Sequence, residues 1–350
     1  MSILPYALVL LSSIIQIAEA SRPSYELDVI GTVAKKKHPF HTPGGLFIQE
    51  RASKQLPGPG QHFSFGALTS WDKIHATLDA DPNTLGPDEW FNVEETCIYT
   101  DLNGTSYGIF DAELTDLGKS EAKSLNAMLD GASWFPKLTA SKPTRAIVSP
   151  LSRCLETAQL ALNGLSFTHM EVEELIRETL GEDTCDARRS LTDPDPVHPK
   201  RLQGPCEFTD GLASYFPKYK FQLVNETARK EIRKGNKDLI RESGGEVSPV
   251  VAQSGFGLIS DKDSMWTTER ETQKHQTKRA TKFLWDVFEY VEERVVVVLT
   301  HSGFTRSLLL AVGREPYRPQ NTELVPVLVQ WSGPGSYDGD EDVDEFEDSK

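Results

Sequence analysis

The chain has 350 residues, of which 38% are hydrophobic and 9% aromatic; this is enough to bury a core and excludes wholesale disorder. It contains 37 Lys and Arg against 52 Asp and Glu, and the resulting net charge of −15 argues against a nucleic acid or an anionic membrane as partner. The charge is uneven, because residues 338–350 hold eight acids and one lysine, or −7, which leaves −8 for the remaining chain. We expect residues 337–350 to be a disordered acidic tail.

The N-terminus carries an apolar run over residues 7–17, followed by Ala18-Glu19-Ala20. This run is shorter than the ~20 residues that span a bilayer, but it suits the apolar region and cleavage site of a secretory signal. We therefore predict that residues 1–20 are a signal peptide and that the protein is secreted, with a buried N-terminal helix or strand as the alternative. No later segment approaches transmembrane length, so no membrane partner is expected. Secretion would make the sequons at Asn103 and Asn225 usable and the protein a glycoprotein.

The body of the chain alternates strands with helices. The predicted elements are a helix from Leu114-Thr115 to Leu129, a strand Arg145–Ser149, a helix Pro150–Leu162, a helix over about Glu269–Glu293, a β-branched strand Arg294–Thr300 and a helix Phe304–Val312. A continuous β-branched run is typical of a strand that is buried on both faces. The pattern predicts an α/β fold, a three-layer sandwich with a largely parallel central sheet and helices on both faces.

Four cysteines allow three disulfide pairings. Cys185 and Cys206 share one loop-rich stretch and are the predicted disulfide. Cys154 falls on the apolar face of a predicted helix and is expected to be a buried thiol. No CxxC motif or His/Cys cluster indicates a metal site.

Two polar side chains fall at the ends of predicted parallel strands. Arg153 lies in the first turn after the Ser149 strand, and His301 follows the valine-rich strand. Ligands of such sheets bind at the carboxyl ends of the strands, where helix N-termini favour anions. The pair therefore predicts a phosphoryl site, the alternatives being a surface salt bridge for Arg153 and a turn-capping role for His301.

These residues belong to two segments, 149–158 and 299–304, that resemble signature blocks of the histidine phosphatase superfamily. The segments match the phosphoglycerate-mutase-like branch of that superfamily, and within it they are more similar to the fungal phosphoglycerate mutase family proteins. Shorter similarities lie at residues 42–49, 111–118, 175–178, 184–186 and 325–329, so that the resemblance runs over roughly Val33 to Gln330. It implies one domain over 21–336, with an N-terminal extension and a lid or insertion at 184–255.

The resemblance also implies a chemistry. In this family a histidine of an Arg-His-Gly motif becomes a phosphohistidine, without metal or other cofactor, and a small phosphate monoester is hydrolysed. By position Arg153 and His301 would hold the phosphoryl group, and Glu178 would protonate the leaving oxygen. Glu178 would need a raised pKa, which burial near Leu175 and Leu180 could supply; the alternative is a solvated acid paired with Arg177. A mutase is the less favoured activity.

The Arg-His-Gly motif itself has no counterpart in this sequence. Residues 90–94 match the stretch that follows it in the family, with Phe91 at the usual histidine, but residues 83–89 hold no arginine, histidine or apolar strand. We expect the first core strand to be missing and the chain to be an impaired enzyme, and a mis-spliced transcript is one interpretation. The alternative is a catalytically dead pseudophosphatase, in which Arg153, His301 and Arg188 or Arg189 hold a phosphate without turnover.

Overall fold

The computed structural model describes residues 6–12, 40–41, 95–100, 106–131, 144–192, 210–233, 255–293 and 295–331. The strands are β1 Tyr6–Ser12, β2 Phe40–His41, β3 Ile98–Thr100, β4 Ser106–Gly108, β5 Thr144–Val148, β6 His169–Val172, β7 Val295–Thr300 and β8 Leu324–Trp331. The helices are α1 Asp116–Gly131, α2 Ser152–Ala161, α3 Leu212–Tyr215, α4 Glu226–Arg233, α5 Gln273–Tyr290 and α6 Ser302–Ala311. Two short 3₁₀ turns cover Glu174–Ile176 and Thr184–Asp186.

Six strands form the central sheet, in the order β2-β8-β1-β7-β5-β6. The four strands β1, β7, β5 and β6 run parallel, while β8 pairs antiparallel with β1 and β2 antiparallel with β8. β3 and β4 form a separate antiparallel pair. The largely parallel sheet that the sequence predicts is therefore confirmed.

Strand β7 lies at the centre of the sheet and is buried along its whole length. Its side chains alternate between two cores: Val296 and Val298 pack with α5 and α6, and Val297 and Leu299 pack with α1 and α2. Each fully buried aliphatic side chain of this kind contributes about 1.5–3 kcal/mol relative to exposure. The β-branched run therefore holds two helical layers to one sheet, and the three-layer sandwich is confirmed.

The helix boundaries follow from local capping. The Thr115 hydroxyl accepts a hydrogen bond from the Gly118 N–H at 3.1 Å, and the Thr272 hydroxyl accepts one from the His275 N–H at 3.2 Å. Thr115 therefore caps α1, and α5 begins after Thr272 rather than near Glu269. No helix among the described residues is long and apolar enough to cross a bilayer.

The N-terminal apolar run is where the structure departs most from expectation. Residues 6–12 form β1, which lies between β7 and β8 and pairs with both. The prediction that the first core strand is missing is therefore wrong, because the N-terminal run takes a place inside the sheet. Of the predicted signal peptide over 1–20, the structure describes only residues 6–12, as β1. The signal peptide, secretion and glycosylation stay predictions.

The cysteines also differ from the predicted arrangement. Cys97 is disulfide-bonded, whereas Cys154 and Cys185 are buried free thiols. The buried thiol at Cys154 is confirmed and the Cys185–Cys206 disulfide is wrong; Cys185 lies in a 3₁₀ turn whose backbone serves the candidate site described below.

The lid or insertion predicted at 184–255 is described only in part. Residues 184–191 are buried, and the lid itself stays a prediction. The acidic tail, residues 83–94 and the sequon at Asn103 lie outside the described residues.

Candidate active site

The candidate site lies at the carboxyl ends of two neighbouring parallel strands. Ser149 follows β5 and His301 follows β7, and the Ser149 N–H donates to the Leu299 carbonyl at 3.0 Å, which holds the two strand ends together. Arg153 enters from the first turn of α2. His301 and Arg153 are only 1% and 2% exposed. The structure thus brings together the two residues that the sequence predicts to meet.

His301 contacts three side chains. Its Nε2 lies 2.8 Å from the Ser149 hydroxyl and 3.4 Å from the Cys154 thiol, and its Nδ1 accepts a hydrogen bond from the Arg153 Nε at 3.3 Å. Because a guanidinium only donates, Nδ1 must be unprotonated and the ring hydrogen of a neutral His301 resides on Nε2. His301 therefore presents a hydrogen-bond donor toward Ser149.

The surroundings keep the His301 ring neutral. Burial lowers the pKa of His301 well below its ordinary value of 6.5, and the nearby positive charges of Arg153, Arg279 and Arg177 lower it further. A neutral imidazole can donate to a phosphoryl oxygen through Nε2 without a permanent charge of its own. The predicted alternative of a turn-capping His301 is not what the structure shows, since the side chain makes no capping hydrogen bond to α6.

Arg153 is held by three acceptors. In addition to His301, it donates from Nη1 to the Cys185 carbonyl at 2.6 Å and from Nη2 to the Asp186 carboxylate at 2.9 Å. Burial disfavours its charge, but Asp186 and the weaker effects of Cys185, Cys154 and Glu178 together outweigh burial and raise the pKa of Arg153. Three of the five guanidinium N–H groups are used by the described residues and two remain for a ligand. The surface salt bridge considered for Arg153 is excluded by its burial.

Glu178 lies against the N-terminus of α6. One carboxylate oxygen accepts the Gly303 N–H at 3.1 Å, and the other accepts the Thr179 N–H at 2.9 Å and the Thr179 hydroxyl at 3.2 Å. The Thr300 hydroxyl donates to the Ile176 carbonyl at 2.6 Å and so fixes the backbone before Glu178 to the end of β7. A carboxylate is favourable at a helix N-terminus, where free N–H groups carry partial positive charge.

Arg177 does not pair with Glu178. It binds Glu174 at 2.8 Å and Asp263 at 2.7 Å, so the predicted alternative of a Glu178–Arg177 pair is wrong. Glu178 itself is half-buried rather than enclosed.

Because Gly303 has no side chain, the Glu178 carboxylate can lie directly against the start of α6. A Cβ atom at position 303 would lie 2.1 Å from the nearer Glu178 oxygen, much closer than any real Cβ contact. The Gly303 of the Thr-His-Ser-Gly segment is therefore explained by the close approach of the proposed proton donor to α6.

Two acids and one arginine near the site have no role predicted from the sequence: Asp186, Asp111 and Arg270. Asp186 binds Arg153 through one oxygen and Arg270 through the other, at 2.9 and 3.0 Å. Asp111, which has a positive φ of 42°, accepts the Ser152 N–H at 2.8 Å and so occupies the N-terminus of α2. The similarity at 111–118 and 184–186 was the signal that could have pointed to both acids.

Arg188 and Arg189 are bound to other groups. Arg188 donates to Glu174 and to the carbonyls of Ser260, Asp261 and Lys262, which fastens a loop. Arg189 pairs with Asp111 at 3.3 Å, with Glu113 at 3.5 Å, and lies over the Tyr215 ring. The structure therefore does not bring these two arginines to His301, contrary to the expectation for a binding-only site.

The described residues provide no second histidine beside His301. β1 ends with Ser12 opposite Thr300, and its sequence contains no histidine. His41 pairs with Gln330, next to the amino end of β1 and about 20 Å from the end of that strand where His301 lies. His169 begins β6 and therefore lies at the same end of the sheet as His41. His275 is half-exposed and bonded to Glu271. Within the described part of the chain, no group of His, Cys, Asp and Glu is arranged to hold a metal.

Comparison with known proteins agrees with the geometry. Residues 99–188 match the family model "Histidine phosphatase superfamily (branch 1)". A protein of Arthroderma benhamiae named "Probable phosphoglycerate mutase" is 27% identical over 63% of this chain and 51% of its own length, and "Phosphomutase-like protein 3" of Candida albicans is 23% identical over 77% and 72%. The chain thus spans about half the length of the first of these relatives.

Among solved structures, a mycobacterial glucosyl-3-phosphoglycerate phosphatase matches 63% of this chain and 81% of its own, at 16% identity and a TM-score of 0.32. The family model covers β5, α2, Glu178 and Asp186, whereas β7 and His301 lie outside the matched residues. The family model and the curated relatives together confirm that this chain is related to the histidine phosphatase superfamily, in its phosphoglycerate-mutase-like branch.

Proposed function

We propose that the protein is a phosphatase for a small phosphate monoester, with Arg153 and His301 binding the phosphoryl group and Glu178 protonating the leaving oxygen. The observation that carries this proposal is the meeting of the three side chains at one edge of the sheet. His301 bonds directly to Arg153, and Glu178 bonds to Gly303, two residues beyond His301.

The arrangement suits charge stabilisation more than any other chemistry. The neutral His301 can offer its Nε2–H to a phosphoryl oxygen that replaces the Ser149 hydroxyl as its acceptor, and Arg153 offers a fixed charge and two remaining N–H groups. Donors held in place before the substrate arrives stabilise the charge that develops on phosphoryl oxygens. Glu178 lies at the same edge, and its role as the acid that protonates the departing alkoxide comes from the resemblance. A phosphohistidine intermediate is implied by the family resemblance alone, and none of the described residues is placed to form it.

A binding protein without turnover is the second candidate. It is favoured by the end of β1, where the resemblance would put the nucleophilic histidine, because residues 6–12 hold none. Loss of a covalent nucleophile usually lowers the rate by several orders of magnitude, while the anion-binding groups keep their affinity.

Both candidates are tested on the full-length chain with p-nitrophenyl phosphate and with inorganic phosphate. We expect hydrolysis to be lost in His301→Ala and kept in His169→Ala, a matched control at the far edge of the sheet. Phosphate-dependent thermal stabilisation without hydrolysis would favour the binding protein instead. If phosphate neither is released from the ester nor raises the melting temperature, both candidates are wrong.

A further inference from the structure

A second guanidinium lies beside Arg153. The Asp186 carboxylate joins the two, with Oδ1 2.9 Å from the Arg153 Nη2 and Oδ2 3.0 Å from the Arg270 Nη1. Arg270 comes from the segment before α5, 84 residues further along the chain than Asp186. One carboxylate shared in this way keeps both arginines at the same side of the site.

The hydrogen bonds of Arg270 all leave from one nitrogen. Its Nη1 contacts the Thr179 carbonyl at 3.3 Å, the Gly181 carbonyl at 2.9 Å and Asp183 at 2.7 Å, in addition to Asp186. These acceptors fix the guanidinium and balance its charge. They leave the opposite edge of the group, made of Nε and Nη2, without a bond to any described residue.

That edge is the one with which arginine binds oxyanions. The N–H bonds of Nε and Nη2 are parallel and match two oxygens of a phosphoryl group. The Arg270 Nε is buried without a hydrogen-bond partner among the described residues. An unpaired buried donor costs about 1–3 kcal/mol, which a ligand oxygen would recover. The Arg270 side chain as a whole is 23% exposed, against 3% for Arg153, so part of it is open to solvent.

Both arginines lie in the field of the same carboxylate. Burial opposes the charge of each guanidinium, but Asp186 and, more weakly, Glu178 raise the pKa of both Arg153 and Arg270. Arg270 is therefore close to the group that the proposed function makes the proton donor. Arg279, by contrast, donates hydrogen bonds to the carbonyls of residues 175, 177 and 178 and to Glu271. These bonds hold the loop of residues 175–178 in place.

We infer that Arg270 is a second oxyanion-binding residue, whose Nε and Nη2 take two phosphoryl oxygens while Arg153 and His301 bind the others. This inference rests on the proposed phosphate site. Asp186 is then the residue that positions both arginines. The inference supplies a cation that the missing Arg-His-Gly motif would otherwise have brought.

The test is isothermal titration of the full chain with inorganic phosphate. We expect Arg270→Gln to weaken phosphate binding at least tenfold. Arg270→Lys should weaken it less, because the lysine ammonium keeps the positive charge but lacks the two parallel N–H donors. Arg318→Gln removes an exposed arginine beyond the far end of α6 and should bind phosphate like the unmodified chain. If Arg270→Gln does not fold, as its melting curve without phosphate would reveal, Arg270→Lys decides alone.

The outcomes separate this inference from the proposed function. Unchanged affinity in the folded Arg270 variants, together with lost affinity in Arg153→Gln, overturns the role of Arg270 and leaves the phosphate site intact. If the unmodified chain binds no phosphate, the proposed function fails and the inference fails with it.

Discussion

Gly303→Ala should destabilise the protein, although alanine normally favours a helix. Position 303 lies in the first turn of α6, where the new Cβ would meet Glu178 at 2.1 Å. Glu178 must move away and give up its bond to the Gly303 N–H. A hydrogen bond to a charged group contributes about 1.5–3 kcal/mol. The better helix propensity of alanine returns about 1 kcal/mol. We therefore expect a net loss of about 0.5–2 kcal/mol in the free energy of unfolding.

The assay is urea unfolding followed by circular dichroism, with Gly131→Ala as the matched control. Gly131 ends α1 and has no atom near its Cβ position, so its replacement should be neutral or slightly stabilising. In a Glu178→Ala background the collision at 303 is gone, and Gly303→Ala should then cost less than in the unmodified chain. Equal costs in both backgrounds would refute the reasoning, as would a stabilised Gly303→Ala.

Three more outcomes follow from the fold. Deleting residues 1–12 removes β1 and should abolish cooperative melting, whereas deleting 337–350 should leave the melting curve unchanged; a folded protein without residues 1–12 would contradict the sheet order. Cys97→Ser should lower the free energy of unfolding by about 2–4 kcal/mol, and reducing agent should affect that variant no further. Burial raises the pKa of Glu173 from 4.5 to about 7 in the folded state, so folding takes up a proton between these values and stability falls as pH rises through them. Glu173→Gln should flatten that part of the profile of stability against pH; an unchanged slope would exclude Glu173 as its source.

The sequence predicts some parts of this molecule well because local pattern and final packing agree there. The valine run of β7 is buried on both faces, and the strand ends bring Arg153 to His301 as parallel pairing requires. Such contacts can be inferred because each depends on one strand-to-helix turn and one neighbouring strand.

Other parts depend on pairings that leave no local trace. Nothing in the composition near Arg270 points to Asp186, because the two meet only when two loops pack together. The apolar run 7–17 fits a signal peptide and an inner strand equally well by hydropathy, so the pairing of residues 6–12 with β7 and β8 could not be read from the local pattern. Cys97 likewise shows no preference for a partner in its spacing.

The position of β1 also has a consequence for the order of folding. Ala7 pairs with Val295 on one side and Leu328 on the other, so β1 pairs only with strands that lie far along the chain and are synthesised long after it. Contacts between such distant residues form slowly, because the long loop between them must first close, and the entropy lost in closing it is offset only after the strands have paired. Until then the apolar N-terminus has no partner in the sheet. We expect refolding to be slow and the yield of native protein to depend on how well this segment is shielded during synthesis.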